Sequence, residues 1–405
     1  MRLINKYFYN IFIVISISII LRLLLLNTYG DSTLENEWGV IFNNLKNFGV
    51  LAYRSFEDYL VPSVYMPPLY VYFIFLIDVF SPEILNLVQS ILITQILLSA
   101  ITTYFFYKIN FFLFNKKLSI ISSYIFSLFP LNIYSSLQIS SISLQIFLSV
   151  IFLYLILKIL SGNDKIKICL FLSFISGLTV LLRGEFIIIY FFTVVYLIYY
   201  KKLNLYKVAV IILVTILTTS PYLVRNYMVF EKITVTKSFG YNLWKGNNID
   251  ATVEGSETNL AFKTDKIKEK IDVIEKNNLY EFNYDKIFLE SSLKFIDENK
   301  LLFFKRYIKK VLTFSFFNLN SNYPGYYHPL NILSLTILSI IFMIGIISII
   351  SKKKSIFLNY FLLNLIVTIG IFAIFFILPR YKLIILPVQL ILINFWLSKY
   401  FKKGV

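Results

Sequence analysis

Residues 7–26 read YFYNIFIVISISIILRLLLL, an apolar run that carries a single charged side chain, Arg22. About 20 apolar residues form a helix long enough to cross the ~30 Å hydrocarbon layer of a bilayer. Comparable runs recur along the chain, which is 58% hydrophobic and has a mean hydropathy of +0.73. Backbone polar groups must be satisfied inside a bilayer, and the alternating pattern of a membrane barrel is absent. These runs therefore predict an all-α polytopic membrane protein.

Short basic clusters separate the apolar runs and predict their orientation. Cytoplasmic loops are enriched in lysine and arginine, which places clusters such as Lys116-Lys117 in the cytoplasm. The pattern predicts about ten crossings of a bacterial inner (plasma) membrane, with both termini cytoplasmic. The predicted crossings are residues 7–26, 83–107, 118–134, 140–160, 168–182, 186–200, 206–223, 331–350, 356–378 and 383–397. Residues 69–80 are apolar but too short to cross, so they are predicted to form a juxtamembrane helix or one that enters the membrane halfway. Residues 301–319 are predicted to lie at the membrane surface, since they contain four basic residues.

This topology divides the chain into three parts. Residues 1–223 form an N-terminal transmembrane module with an acidic external loop at 27–70, residues 224–328 form an external loop domain with an interfacial helix, and residues 329–405 form C-terminal transmembrane helices. Of the 22 acidic residues, 18 fall in the two segments 27–70 and 225–300. The sequence therefore predicts two acidic loops on one external face.

The charge and the rare residue types exclude several classes of function. The net charge of +17 does not indicate nucleic-acid binding, because the basic residues stand mainly in short clusters between apolar runs. One cysteine, Cys169, excludes an intrachain disulfide, and one histidine, His328, makes a His/Cys metal site implausible. No cofactor is predicted with certainty. The acidic residues could bind a divalent cation, but no ligand spacing defines such a site.

The first acidic loop, residues 27–70, reads NTYGDSTLENEWGVIFNNLKNFGVLAYRSFEDYLVPSVYMPPLY. A carboxylate just outside a bilayer can act as a general base toward an acceptor hydroxyl. Asp31, Glu35 and Glu37 are the candidates for that role. Glu35 has an equally good structural explanation, because Ser32-x-x-Glu35 has the form of a capping box. A short amphipathic helix is predicted to follow, with apolar residues at helical spacing from Trp38 to Phe48.

Five short motifs occur along nearly the whole chain in a fixed order. They are PPLY (67–70), GLTVLLRGE (177–185), SPYLVRNY (220–227), GYNLWKGNN (240–248) and RYKLIILP (380–387). Together with the acidic first loop, they resemble the GT-C fold glycosyltransferases that use polyprenyl-phosphate sugars, including protein mannosyltransferases and aminoarabinose transferases (glycosyltransferase family 39-like). Two departures from the family pattern are Arg183-Gly184-Glu185 in place of Arg-Pro-Glu, and the lack of an acidic residue in 138–145.

The resemblance implies transfer of a sugar, with inversion, from a polyprenyl-phosphate donor to a lipid, glycan or protein acceptor on the external face. It implies that a carboxylate of the first loop is the catalytic base. Glu35 and Glu37 lie nearest the position of the family's acidic residue, and Asp31 lies a few residues earlier. The residues implied to bind the donor phosphate are Arg380, Tyr381, Arg225 and Arg183. Those implied to bind substrate are Tyr70, Glu185, Asn226, Trp244, Asn247 and Asn248. A guanidinium can form paired hydrogen bonds with phosphate oxygens, although snorkelling to the membrane surface or an internal ion pair explains Arg22 and Arg183 equally well.

Two other classes of function compete with a glycosyltransferase. A transporter or lipid flippase would place ionisable residues in the middle of the membrane, and the predicted crossings are nearly free of acidic residues. A non-catalytic assembly subunit would use the loops to bind a partner protein. The identity of the sugar and of the acceptor is not encoded in any motif of the chain.

Overall fold

The computed structural model describes residues 10–57, 59–200, 202–255, 265–350 and 355–401, and the fold is mostly helical. From the N-terminus its elements are α1 (Ile11–Tyr29), α2 (Glu37–Phe48), β1 (Ala52–Phe56), β2 (Tyr59–Pro62), α3 (Leu69–Phe80), α4 (Leu87–Leu113), α5 (Lys116–Ser127), α6 (Pro130–Ser136), α7 (Ile142–Leu160), α8 (Ile166–Leu182), α9 (Phe186–Tyr199), α10 (Leu205–Phe230), α11 (Phe239–Gly246), α12 (Asp265–Asp272), α13 (Tyr280–Glu298), α14 (Lys300–Ser315), α15 (Pro329–Ile350), α16 (Ile356–Ile374), a 3-10 turn (Pro379–Tyr381) and α17 (Lys382–Leu397).

Seven helical spans among the described residues are long and apolar enough to cross a membrane: α1, α4, α7, α10, α15, α16, and the 3-10 turn with α17. The pair α5 and α6 makes an eighth if it counts as one broken span. Helices also stand at the two remaining predicted crossings, α8 and α9, but each is shorter than 18 residues. A multi-pass membrane protein is therefore well supported, while the count of ten crossings stays a prediction.

The crossing predicted at residues 118–134 is bent by 55° between α5 and α6. Pro130 is the first residue of α6, where its missing N–H costs nothing, whereas inside a continuous helix it would remove a hydrogen bond. Arg22 of α1 is fully buried against this break. Its guanidinium donates to the Ser127 carbonyl at 3.0 Å and to the Ser136 hydroxyl at 2.9 Å. The arginine thus satisfies a carbonyl that the broken helix leaves without its own partner.

The predicted amphipathic helix is present as α2, and Trp38, Ile41 and Phe42 on its apolar face are buried. The capping box that Ser32-x-x-Glu35 suggests does not form. The helix begins at Glu37, and the N-cap is Asn36, whose side-chain oxygen accepts hydrogen bonds from the Trp38 and Gly39 N–H groups. The Asn36 side-chain oxygen lies 3.1 and 3.2 Å from these two backbone nitrogens, so Asn36 caps the helix in place of Ser32. Glu35 therefore has no capping role.

The first loop also forms an antiparallel hairpin, β1–β2, that sequence reasoning did not predict. The hairpin packs on the second loop region, where Val61 shares an apolar cluster with Trp244, Ile267, Tyr280, Tyr284 and Phe288. The second loop region contains the helices α12 and α13. The two acidic loops therefore contact each other in the folded chain.

Helix α14 carries an exposed apolar stripe on one face. Leu301, Phe304, Ile308 and Leu312 are each more than 40% exposed, and their spacing of three to four residues places them on one side of a helix. This exposure agrees with the predicted position at the membrane surface, where such a stripe would contact lipid.

Candidate functional site

Asp31 begins the loop that follows α1, and the backbone of the segment between α6 and α7 holds it. Its N–H donates to the Leu137 carbonyl at 3.0 Å, and its carboxylate Oδ2 accepts the Ile139 N–H at 2.6 Å. The side chain is half-buried. Burial raises the pKa of the Asp31 carboxyl, and the hydrogen bond from Ile139 opposes that rise. A carboxylate with a raised pKa that stays partly accessible is suited to accept a proton.

The other two predicted bases are placed differently. Glu35 and Glu37 are exposed, and neither makes a hydrogen bond or an ion pair with the residues that the structure describes. Glu37 lies in the first turn of α2, where a negative charge is favoured by the helix dipole. Among the three candidate carboxylates, Asp31 alone is fixed in position by hydrogen bonds.

Arg183 and Tyr381, two of the predicted phosphate-binding residues, contact each other, and Arg183 lines a crevice between α7, α9, α16 and α17. The guanidinium carbon of Arg183 lies 5.5 Å from the centre of the Tyr381 ring. The Arg183 Nε donates to Gln145 Oε1 at 3.2 Å, and Nη1 lies 3.8 Å from Glu185 Oε1. The segment 183–185 separates α8 from α9, so a tight connection brings Arg183 and Glu185 to the same mouth.

The crevice has apolar walls below this polar mouth. It is narrow, with a cavity volume of about 30 Å³. Its lining includes the apolar residues Phe152, Phe186, Phe372 and Pro387 and the polar residues Gln145, Ser149, Asn364 and Thr368. The charged groups that line it are Arg183 and Glu185. Arg183 at this mouth is a candidate partner for an anionic group, and the narrow interior would have to widen to take a hydrocarbon chain.

Arg380 precedes Tyr381 in the 3-10 turn and is exposed. Its guanidinium has no hydrogen-bond or ion-pair partner among the described parts of the chain. Tyr381 packs on Phe372 and Phe376, with ring centres 5.5 and 6.2 Å away. Tyr381 is therefore anchored by neighbouring rings, while Arg380 has all its donors available to solvent or ligand.

Arg225, predicted to bind the donor phosphate, joins the two loops, and Asn226, predicted to bind substrate, holds the start of the second loop. Arg225 Nη1 donates to the Ser63 carbonyl at 3.1 Å and to Asn226 Oδ1 at 2.8 Å. Buried Asn226 donates to the Thr234 carbonyl at 2.6 Å.

The segment Ser63–Tyr65 is also bound by Glu281 of α13. Glu281 Oε1 accepts the Ser63 hydroxyl at 2.8 Å, and Oε2 accepts the Val64 N–H at 2.7 Å. The Lys237 N–H donates to the Val64 carbonyl at 2.7 Å. Burial raises the pKa of Glu281 against these hydrogen bonds. These contacts fix the first loop on the second, and no sequence motif had indicated Glu281.

The remaining predicted substrate-binding residues are buried. Tyr70 is fully buried, its hydroxyl donates to Gln95 Oε1 at 2.9 Å, and its ring packs edge-on against Trp38. Trp244 belongs to the apolar cluster under the hairpin. Asn247 and Asn248 donate to backbone carbonyls, including those of Leu243 and Trp244. In this conformation, these four side chains support the site rather than line it.

A buried lysine, Lys310 of α14, holds the same 246–248 segment and was not predicted. Its Nζ donates to the Gly246 carbonyl at 2.8 Å and lies 3.3 Å from Asn247 Oδ1. Burial lowers the pKa of Lys310 to about 7. The four basic residues within 301–319 suggested only an interfacial helix. The sequence therefore gave no sign that one of them faces inward.

Comparisons with known proteins bear on the fold. No family model matches the chain, and no curated protein matches it.

Within the described residues, no group of three or more His, Cys, Asp or Glu side chains could hold a metal ion.

A solved structure of the archaeal oligosaccharyltransferase AglB from Archaeoglobus fulgidus, in complex with an inhibitory peptide and a dolichol-phosphate, is similar to this chain. The TM-score is 0.54 at 16% sequence identity, and the match covers 98% of this chain and 51% of AglB. The chain therefore spans about half the length of that protein. At this identity the likeness concerns the fold alone, and the conclusion is that the chain has a GT-C-like membrane fold.

Proposed function

We propose that this protein is a membrane glycosyltransferase that moves a sugar, with inversion, from a polyprenyl-phosphate donor to an acceptor hydroxyl. The observation that carries the proposal is the contact between Tyr381 and Arg183, which lines the mouth of a mainly apolar crevice. The GT-C-like fold supports the same class of function, although a fold by itself does not determine an activity. The solved AglB structure contains a dolichol-phosphate, a lipid of the same chemical type as the proposed donor.

The crevice suits the lipid phosphate of the donor. Arg183 would form charge-assisted hydrogen bonds with phosphate oxygens, and Arg380, whose donors are unpartnered among the described residues, directly precedes Tyr381. The crevice would have to open between α7, α9, α16 and α17 for its apolar walls to take the first isoprene units of the chain. Positive charge at this place stabilises the negative charge that develops on the departing phosphate.

Asp31 is the proposed general base. The acceptor hydroxyl gives its proton to the Asp31 carboxylate while its oxygen attacks the anomeric carbon of the sugar. The bond from that carbon to the phosphate oxygen breaks, and the lipid phosphate leaves with the electron pair. Attack on the face opposite the leaving group inverts the anomeric configuration. Asp31 is chosen over Glu35 and Glu37 because it is half-buried and hydrogen-bonded, whereas the two glutamates are exposed.

Incubation of the purified full-length protein with a panel of polyprenyl-phosphate pentoses and hexoses tests the proposal. We expect release of free polyprenyl phosphate, and we expect the Asp31→Asn variant to release at least a hundredfold less. The matched controls are Glu35→Gln and Glu37→Gln, which neutralise exposed carboxylates of the same loop and should retain most of the activity.

Full activity of Asp31→Asn would contradict the assignment of the base. A protein that moves the donor lipid across vesicles without releasing lipid phosphate would be a flippase, and the proposed reaction would be wrong.

A further inference from the structure

The position of Asp31 depends on one short segment, the turn 136–139 that joins α6 to α7. Both hydrogen bonds of Asp31 go to this turn, through the Leu137 carbonyl and the Ile139 N–H. Asn36 strengthens the contact by donating from its side-chain amide to the Ile139 carbonyl at 3.0 Å. Any movement of the turn would therefore change the environment of the carboxylate directly.

Gln95 of α4 fixes the same turn. Its Nε2 donates to the Gln138 carbonyl at 2.9 Å and to the Ser136 carbonyl at 3.3 Å. Its Oε1 accepts the Tyr70 hydroxyl at 2.9 Å. Gln95 and Tyr70 are both fully buried. Buried polar groups are costly when unpaired, and here the amide of Gln95 and the hydroxyl of Tyr70 satisfy each other and the turn.

We propose that Tyr70 and Gln95 are positioning residues for the Asp31 carboxylate, acting through the turn 136–139. The inference rests on the proposed role of Asp31 as the general base. Tyr70 orients the Gln95 amide, Gln95 holds the turn, and the turn holds the Ile139 N–H 2.6 Å from Oδ2 of Asp31. Neither residue touches the reacting atoms. This role also explains why Tyr70 of the PPLY motif lies away from solvent.

The fixed N–H has a chemical consequence for Asp31. The titratable groups that act on its charge are Tyr70 from α3 and Tyr134 from α6, and both phenols are neutral at neutral pH. The Ile139 N–H is thus the contact that favours the ionised carboxylate, against the burial that disfavours it. If the turn is released, the carboxylate should hold its proton to a higher pH.

A titration of Asp31 itself tests the proposal without any substrate. Full-length protein labelled with carboxyl-¹³C aspartate is placed in lipid nanodiscs, and the Asp31 signal, assigned with Asp31→Asn, is followed against pH. We expect the midpoint to rise by about one pH unit in Tyr70→Phe and in Gln95→Leu, which is a tenfold change in proton affinity. Tyr70→Phe removes one hydroxyl only and is the milder of the two changes.

Two matched variants control for a general loss of stability. Tyr190→Phe deletes a buried hydroxyl that donates to the Ile211 carbonyl at 3.2 Å, and Gln389→Leu deletes a buried amide that donates to the Ser315 carbonyl at 2.7 Å. Both should leave the Asp31 midpoint unchanged. An unchanged midpoint in folded Tyr70→Phe, or an equal shift in the controls, would overturn the positioning role. Activity of Asp31→Asn would instead refute the base, so the two failures are distinguishable.

Discussion

Arg22 and Arg183 occupy equivalent places in the sequence but different places in the molecule. Each lies near the end of an apolar run. From the sequence, snorkelling or an ion pair explains each arginine as well as phosphate binding does. In the folded chain Arg22 is fully buried, and its guanidinium bonds to Ser18, Ser127 and Ser136 around the break between α5 and α6. Arg183 is half-buried at the mouth of a crevice, beside Gln145, Glu185 and Tyr381. The difference shows that the partners of an arginine indicate its role better than its position in the sequence.

The largest effect is expected on stability, from Arg22→Leu. The substitution leaves the Ser127 carbonyl without its donor inside an apolar environment, and hydrogen bonds to a charged group contribute about 1.5–3 kcal/mol each. We expect a loss of about 3 kcal/mol or more in the free energy of unfolding. Thermal unfolding in detergent micelles measures it. A melting temperature equal to that of the wild type would contradict a structural role for Arg22.

An intermediate effect is expected on donor binding, from Arg183→Ala. Its contacts lie at an open mouth, so the folded state loses little, whereas a phosphate would lose a charge-assisted partner. We expect the KM for the polyprenyl-phosphate sugar to rise about tenfold with a nearly unchanged melting temperature. Steady-state kinetics at several donor concentrations measure the change. A large fall in melting temperature with an unchanged KM would show that Arg183, like Arg22, stabilises the fold and does not bind the donor.

The smallest effect is expected from Tyr381→Leu, which keeps apolar volume but removes the ring beside the Arg183 guanidinium. Cation–π contacts contribute about 0.5–1 kcal/mol at partly exposed sites, so the donor KM should rise about threefold. Tyr381→Phe is the matched control, because it keeps the ring and should retain the wild-type KM. Equal effects of the two variants would show that the hydroxyl, and not the ring, matters.

Much of the architecture could be predicted because it depends on local pattern. Apolar runs gave the positions of the helices, and helical spacing gave α2 and its buried face. The likeness to family motifs placed Arg183 and Tyr381 in the same predicted phosphate-binding set, and the two side chains are in contact in the structure. The sequence could not choose the base among three carboxylates. The hydrogen bond that distinguishes Asp31 comes from a turn more than 100 residues later in the chain.

Other features had no local signature. The hairpin β1–β2 depends on its packing against α13, and the use of Arg225 and Glu281 to join the loops depends on the Ser63–Tyr65 backbone. Gln95, which holds the turn 136–139, is a polar side chain within an apolar run. Such residues usually face the protein interior and have a partner.

The sequence by itself determined where the chain can enter a bilayer and which segments carry charge, because run length and charge order are properties of neighbouring residues. The tertiary structure alone decided which carboxylate is held, which arginine is buried at a helix break and which one faces a crevice. The physical reason is that burial and hydrogen-bond partners come from distant segments. Their cost or gain in free energy exists only once those segments have packed together.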